Sequence, residues 1–295
     1  MRYDKWLSEN TSSLAGKTVA VTGTTGGLGK ELCDFIASLG AKLILMDRNK
    51  KRSEAHRDEL KTRHGCDVEC INIDLEDIGS VKRATRELLE NCAPDIFIHN
   101  AGAYSIPRKK CDTGMDNVFQ INFVSPYYMI HEMLPSLKSK GGRVMVVGSI
   151  AHNYSKIDVR DVDFATRKQA SKVYGNAKRY LMFSLYELFK NESDVSLSVT
   201  HPGITFTNIT SHYPKLIFAL IKHPMKVIFM KPRKAALCLL RGLFDPCGYH
   251  EWIGPRLFDV WGLPKKKELK TCTKAESEEI GRIAEKIYID IGDIS

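Results

Sequence analysis

The stretch Thr18-Val19-Ala20-Val21-Thr22 runs directly into Gly23-Thr24-Thr25-Gly26-Gly27-Leu28-Gly29. Leu28, Leu32, Ile36 and Leu39 then recur at helical spacing until Gly40 stops the pattern. A strand, a glycine-rich turn and a helix in that order constrain the fold strongly. A strand that feeds a helix returns through a crossover, so its neighbours lie parallel to it and helices cover the sheet. The glycines also carry chemistry. They permit a tight turn, let the backbone approach a pyrophosphate, and present it with the free N–H groups and positive dipole of a helix N-terminus. Gly23, Gly27 and Gly29 give Gly-xxx-Gly-x-Gly, whereas Gly23, Gly26 and Gly29 give Gly-xx-Gly-xx-Gly. Spacing alone leaves both templates open.

The same alternation continues to residue 203. Further strands are expected at Lys42–Met46, Val68–Ile73, Asp95–His99, Arg143–Val147 and Ser196–Thr200. Several are almost continuously apolar, as strands covered on both faces are. Leu28–Leu39, Ser80–Glu90 and Met115–Leu134 read as helices, the last bent at Pro126. The pattern predicts an α/β fold, a doubly wound parallel sheet with helices on both faces. Residues 1–295 are expected to form a single domain with its core at about 15–255, since a chain of this size can bury one large core. Residues 204–235 mix apolar runs with Lys and Pro and read as a C-terminal substrate lid, with a membrane-surface helix pair or a helix packed on the core as alternatives. A helix from Arg233 to about Leu243, a last edge strand at Tyr249–Ile253 and a polar, Lys-rich surface at 264–277 complete the chain; 256–295 is a C-terminal extension.

The net charge of +9 suits an anionic cofactor or an acidic membrane surface, and most of it is solvated helix surface. No nucleic-acid partner is expected. The eight cysteines match no zinc spacing, and no apolar leader or membrane-spanning run is present. They read as reduced thiols in a cytoplasmic protein, with membrane association left open.

Asp47 ends the second strand, where a carboxylate can accept from the adenosine ribose hydroxyls and would repel a 2′-phosphate. Arg48 follows and could neutralise that phosphate. The position of Asp47 at the strand terminus favours NAD(H) over NADP(H). Asp74-Leu75, ending the third strand, can meet the adenine amino group, and Thr25 and Leu28 sit in the phosphate turn. Reducing a carbonyl requires a hydride at carbon and a proton at oxygen. A free tyrosine, with a pKa of about 10, is a poor base at neutral pH. A neighbouring ammonium favours its phenolate. Tyr174 and Lys178 stand at i and i+4, on one face of a helix. Ser149, ending the fifth strand, can hydrogen-bond the substrate oxygen. A second Tyr-xxx-Lys, Tyr186 and Lys190, lies farther along the same helical run and reads as surface and packing. His99 and His152 read as structural or pocket-lining.

Taken with Asn100-Ala101-Gly102, Asn122 and Pro202-Gly203-xxx-Thr207, these motifs resemble the short-chain dehydrogenase/reductase family over about residues 15–255. TGMDNVFQINFVSPYYMIHEMLP at 113–135, GSIAH at 148–152 and HPGITFTNI at 201–209 resemble its retinol-dehydrogenase-like branch. The resemblance implies a Rossmann-type fold and an NAD(P)-dependent alcohol dehydrogenase or carbonyl reductase, and the apolar runs at 204–235 point to a small, lipophilic, steroid- or retinoid-like substrate. It implies that Lys178 also bonds the nicotinamide ribose and that Asn122 holds a water linking Lys178 to solvent. Pro202, Gly203 and Ile204 would meet the nicotinamide carboxamide, and Thr207 a phosphate. Family members often pair through the helices holding Asn122 and Tyr174, so a homo-oligomer is open. The chain departs from the family at His99, Gly148 and Ala177, none of them a reacting group. A cofactor-sensing binding protein on the same fold, a methyltransferase and a sugar epimerase are the competing readings. A sensor has no need of Asn122, Ser149, Tyr174 and Lys178 together, a methyltransferase gives no reason for Ser149 and the Tyr174–Lys178 pair, and the Asn-Ala-Gly segment and modest length weigh against the epimerase.

Overall fold

The computed structural model describes residues 3–204 and 230–294. Eight strands form one sheet: β1 (Thr18–Thr22), β2 (Lys42–Asp47), β3 (Val68–Asn72), β4 (Ile96–His99), β5 (Arg143–Val147), β6 (Ser196–Thr200), β7 (Glu251–Leu257) and β8 (Trp261–Glu268). Their order is β3-β2-β1-β4-β5-β6-β7-β8, parallel as far as β7, with β8 antiparallel at the edge. The order reverses between β1 and β4, which opens a crevice at the carboxyl ends of those two strands.

Side chains alternate along each strand into two cores. Val19, Val21, Ile96, Ile98, Met145 and Val147 face one, and Ala20, Phe97, Val144 and Val146 face the other. The first core is closed by α1 (Tyr3–Asn10), α2 (Gly27–Ser38), α3 (Lys50–His64) and the helix Pro232–Phe244. Across the sheet lie α4 (Ile78–Cys92), the helical run from 117 to 139, α7 (Ala170–Phe189) and a C-terminal helix, Lys274–Gly292. In chain order the last two are α8 (Pro232–Phe244) and α9 (Lys274–Gly292).

The structure differs from the sequence reading in several places, and the strand expected at the sheet edge, Tyr249–Ile253, is the inner strand β7 with β8 outside it. The helix expected at Met115–Leu134 consists of α5 (Asn117–Phe119), a wider π turn (Gln120–Val124) and α6 (Ser125–Ser139). Asp116 caps its start by accepting from the Val118 N–H at 3.0 Å. Pro126 sits in the first turn of α6 and has no N–H to close the ordinary bond to the Asn122 carbonyl, so the irregularity lies before the proline. The polar stretch 264–277 is not bare surface. Its first part is strand β8, whose lysines occupy a sheet edge, and its end opens α9, where Thr273 accepts from the Glu276 N–H at 3.2 Å. The proposed lid, 204–235, lies outside the described residues except for Ile204 and positions 230–235.

Candidate active site

The crevice at the strand ends is a cleft of about 800 Å3. Gly23, Thr25, Gly27, Leu28, Gly29, Asp47, Arg48, Asp74, Leu75, Asn100, Ala101, Gly102 and Pro202 line it. Its floor depends on close backbone packing. A Cβ on Gly29 would stand 2.3 Å from the Gly23 carbonyl oxygen and 2.9 Å from Asn100 Nδ2, so only glycine lets α2 begin there. Asn100 donates from Nδ2 to the carbonyls of Thr22 (3.1 Å) and Gly23 (2.9 Å), locking β4 to the turn after β1. The Thr22 hydroxyl accepts the N–H groups of Asn100 (3.2 Å) and Ala101 (3.1 Å), so its own proton goes to His99 Nδ1 at 3.1 Å. Burial, reinforced by the Lys178 charge, pushes the His99 pKa well down and keeps the ring neutral. A cleft of this size, floored by glycines and facing a helix N-terminus, fits an extended dinucleotide.

Asp47 lies in this cleft, but its oxygens are already committed. Oδ2 accepts from the hydroxyls of Thr24 (2.5 Å) and Ser53 (3.0 Å), and Oδ1 from the N–H (3.2 Å) and hydroxyl (3.4 Å) of Thr25. A carboxylate offers about four lone-pair sites, and the glycine turn and α3 use them. Beside it, the Arg48 side chain is exposed, 3.9 Å from Glu76. Arg52 donates to the Thr25 carbonyl at 3.4 Å, and Lys109 pairs with Glu76. The adenosine end of the cleft is therefore rimmed by cations. Asp74 Oδ1 accepts from the Glu76 N–H at 3.0 Å.

Ser149 extends from the end of β5 and caps the 3-10 turn Ile150–Tyr154, accepting from the Ala151 N–H at 3.2 Å. Its hydroxyl also lies close enough to the Tyr174 hydroxyl on α7 to draw that phenol's pKa downward. Lys178, one turn on, is buried; its Nζ lies 5.8 Å from the Tyr174 ring centroid and donates to the Val147 carbonyl at 2.9 Å. Burial pulls the Lys178 ammonium down to about 7. Burial pushes the Tyr174 hydroxyl up to about 12, against the lowering pull of the Ser149 hydroxyl. The chain's own groups thus leave Tyr174 a proton-holding phenol rather than the acidified one expected from the neighbouring lysine; acidification needs positive charge from outside the chain.

Asn122 sits in the π turn. Its Nδ2 donates to the carbonyls of Ala103 and Val118, each at 2.8 Å, and Oδ1 accepts from Ala103 N–H at 3.3 Å. Gly203 has φ +78° and donates its N–H to His201 Nδ1 at 3.1 Å; Ile204 accepts from Met230 N–H at 3.0 Å. Thr207 lies outside the described residues. The rival pair separates: the Tyr186 hydroxyl bonds the Glu251 carbonyl, and Lys190 bonds Glu187 at 2.8 Å.

Two residues of this site went unread in the sequence. Tyr104 meets the Tyr174 ring edge-on, centroids 5.4 Å apart. Gly175 lets α7 press against the turn after Ser149, since a Cβ there would stand 2.2 Å from the Ala151 carbonyl oxygen. The available signal was a glycine inside a helix, directly after Tyr174.

A dinucleotide cleft at the switch point of a parallel sheet, with a serine, a tyrosine and a lysine gathered beside it, defines a class of nicotinamide-binding oxidoreductase fold. Residues 17–214 match the family model for short chain dehydrogenases. The chain belongs to that family. It is 29% identical to retinol dehydrogenase 14 of Mus musculus over 212 residues, 67% of this chain and 64% of that protein. It is 30% identical to dehydrogenase/reductase SDR family member 13 of Bos taurus over 252 residues, 83% of this chain and 65% of that one. These likenesses put it with the retinol-dehydrogenase-like branch, and the chain spans just under two thirds of the length of both relatives. Its fold is shared with an alcohol dehydrogenase from Thermococcus sibiricus complexed with 5-hydroxy-NADP. That match has a TM-score of 0.60 and 22% identity, and covers 84% of this chain and 94% of that one.

Proposed function

We propose that the protein is an NAD(P)-dependent oxidoreductase interconverting an apolar alcohol and its carbonyl compound. The observation that carries this reading is the buried Lys178 ammonium, 5.8 Å from the Tyr174 ring and bonded at 2.9 Å to the carbonyl of Val147, a residue of the cleft wall two positions before Ser149. Reduced nicotinamide, when bound, supplies a hydride to the carbonyl carbon. Ser149 and Tyr174 hold the carbonyl oxygen, and the Tyr174 hydroxyl gives its proton to that oxygen as negative charge builds there. Lys178, titrating near neutrality, returns a proton to Tyr174, and Asn122 holds the water that connects it to solvent. In the reverse direction, Tyr174 would act as base once positive charge from outside the chain, such as an oxidised nicotinamide would bring, favoured its phenolate.

NADP(H) suits the site better than the NAD(H) that Asp47 first suggested. The Asp47 carboxylate ties the glycine turn down, while Arg48, exposed and 3.9 Å from Glu76, and Arg52, on the Thr25 carbonyl, line the cleft where a 2′-phosphate would lie. An apolar substrate is supported by Tyr104, Ile106, Val118 and Phe164 around Tyr174, and by the retinol dehydrogenases among its relatives. Peripheral contact with an anionic membrane is supported by exposed Leu257, Phe258 and Leu263 beside Arg256 and Lys265 on the β7–β8 hairpin. No helix among the described residues is long and apolar enough to cross a membrane.

Turnover of NADPH with a panel of apolar aldehydes and ketones, retinal included, tests the reading. Oxidation of cofactor with formation of the alcohol is expected. Complete inactivity across the panel, in both directions and with both cofactors, would refute it. The cofactor reading has its own test: replacing Arg48 and Arg52 by Ala should weaken NADPH binding about tenfold or more, at 1–3 kcal/mol per charged hydrogen bond, and leave NADH binding unchanged.

A further inference from the structure

Arg179 follows the catalytic lysine on α7, and its side chain is 2% exposed. A buried guanidinium demands partners, and this one makes four hydrogen bonds to three residues. Nε and Nη2 form a fork onto Glu276 at 2.8 and 2.7 Å. Nη2 also donates to the Thr271 carbonyl at 2.6 Å, and Nη1 to the His152 carbonyl at 3.1 Å. His152 lies in the 3-10 turn that Ser149 caps. Its Nδ1 is 2.6 Å from the Ser149 carbonyl, and a carbonyl only accepts, so Nδ1 carries the proton. Nε2 must then accept, and it does so from the Thr271 hydroxyl at 2.8 Å. Burial holds the ring down at about 4, so it stays neutral across the working range.

The connections form one chain. Glu276, at the start of α9, fixes Arg179. Arg179 fixes the backbone of His152, Thr271 fixes its ring, and the ring holds the carbonyl of Ser149. Thr271 and Glu276 lie beyond residues 17–214, the part of the chain that matches the family model. We infer that Arg179, Thr271 and Glu276 are positioning residues of the reaction, which set the reach of Ser149 toward Tyr174 and the substrate oxygen. The inference rests on the oxidoreductase reading above. The C-terminal segment is then part of the active site's support rather than an appendage, and it reaches the catalytic serine through one buried guanidinium.

A structural role and a positioning role differ in what they change. Thr271→Val removes only the hydroxyl that orients the ring and leaves the Thr271 carbonyl in place for Arg179. The double variant Arg179→Met with Glu276→Met removes both charges together, so neither is left buried alone. For both, kcat should fall about tenfold to a hundredfold, as a small misplacement of a catalytic group does. Cofactor Kd and the unfolding midpoint should stay near wild type. In 15N-histidine spectra, Thr271→Val should move the His152 Nε2 resonance, which loses its hydrogen-bond donor, while Nδ1 keeps the proton that it gives to the Ser149 carbonyl. Wild-type kcat in a folded double variant, or an unmoved His152 Nε2 resonance in Thr271→Val, overturns the inference. A parallel fall in kcat, cofactor affinity and unfolding midpoint overturns it in favour of a merely structural role. If wild-type protein turns over none of the carbonyl panel while still binding NADPH, the oxidoreductase reading fails first and this one with it.

Discussion

Tyr174 and Lys178 were legible as a pair from their i, i+4 spacing, but their electrostatics were not. Both are drawn toward their neutral forms by burial, a property of the assembled core that spacing cannot reveal. Tyr174→Phe should lower kcat by about a thousandfold, since general acid–base contributions run from about a hundred- to ten-thousandfold, while NADPH titration should show nearly unchanged affinity. Lys178 also predicts a pH dependence of stability. Its folded pKa is about 7 against an ordinary 10.5, so the unfolded chain binds more protons between those values. Stability should rise with pH across that window, and the lysine's cost should be fully present below about 7. Lys178→Met, although inactive, should therefore unfold at a higher temperature than wild type below neutrality, and thermal melts should show the gain shrinking as pH approaches 10.5. Asp47 is the residue whose partners the sequence did not show. Its location at the strand end was right, but the Thr24, Thr25 and Ser53 hydroxyls that occupy it come from a turn and a helix whose geometry no spacing encodes.

Among the elements, the parallel strands and α2 were readable because apolar runs and glycine stops are local signals. The π turn was not, since Pro126 advertises a break without saying on which side it falls. β8 was hidden by its lysines, which an edge strand tolerates and a central strand would not. α9 carried a readable signal after all. Thr273-Lys274-Ala275-Glu276 is a capping pattern, and Ile280, Ala284, Ile287 and Ile291 recur at helical spacing and are buried. Gly175 shows how an element's packing serves the site. Inside an exposed helix Gly→Ala would stabilise by about 1 kcal/mol. Here the added methyl meets the Ala151 carbonyl, so Gly175→Ala should destabilise the protein and part Ser149 from Tyr174. A drop in kcat of about a hundredfold, with a lower unfolding midpoint, is expected from paired kinetics and melts.

At the scale of the whole molecule, the C-terminal extension changes the exposed surface. α9 lies on α7 and α6, the helices through which relatives were expected to pair. Tyr288 stacks on His131 at 3.7 Å and bonds Glu132 at 2.6 Å, and Tyr127 meets Glu285 at 3.5 Å. The face is already filled, so the chain should not dimerise through it. Light scattering of the purified chain should give a mass near 33.3 kDa, and a dimer that dissociates when α6 is altered would contradict this.

The central claim is that Tyr174 hands a proton to an oxygen while hydride arrives at the adjoining carbon. Deuterium transfer from 4-deuterated NADPH to an apolar aldehyde tests it most directly, in wild type and Tyr174→Phe side by side. The account predicts deuterated alcohol from the wild type and about a thousandfold less from the variant, with both proteins binding cofactor equally. Equal label transfer by the two proteins would contradict it.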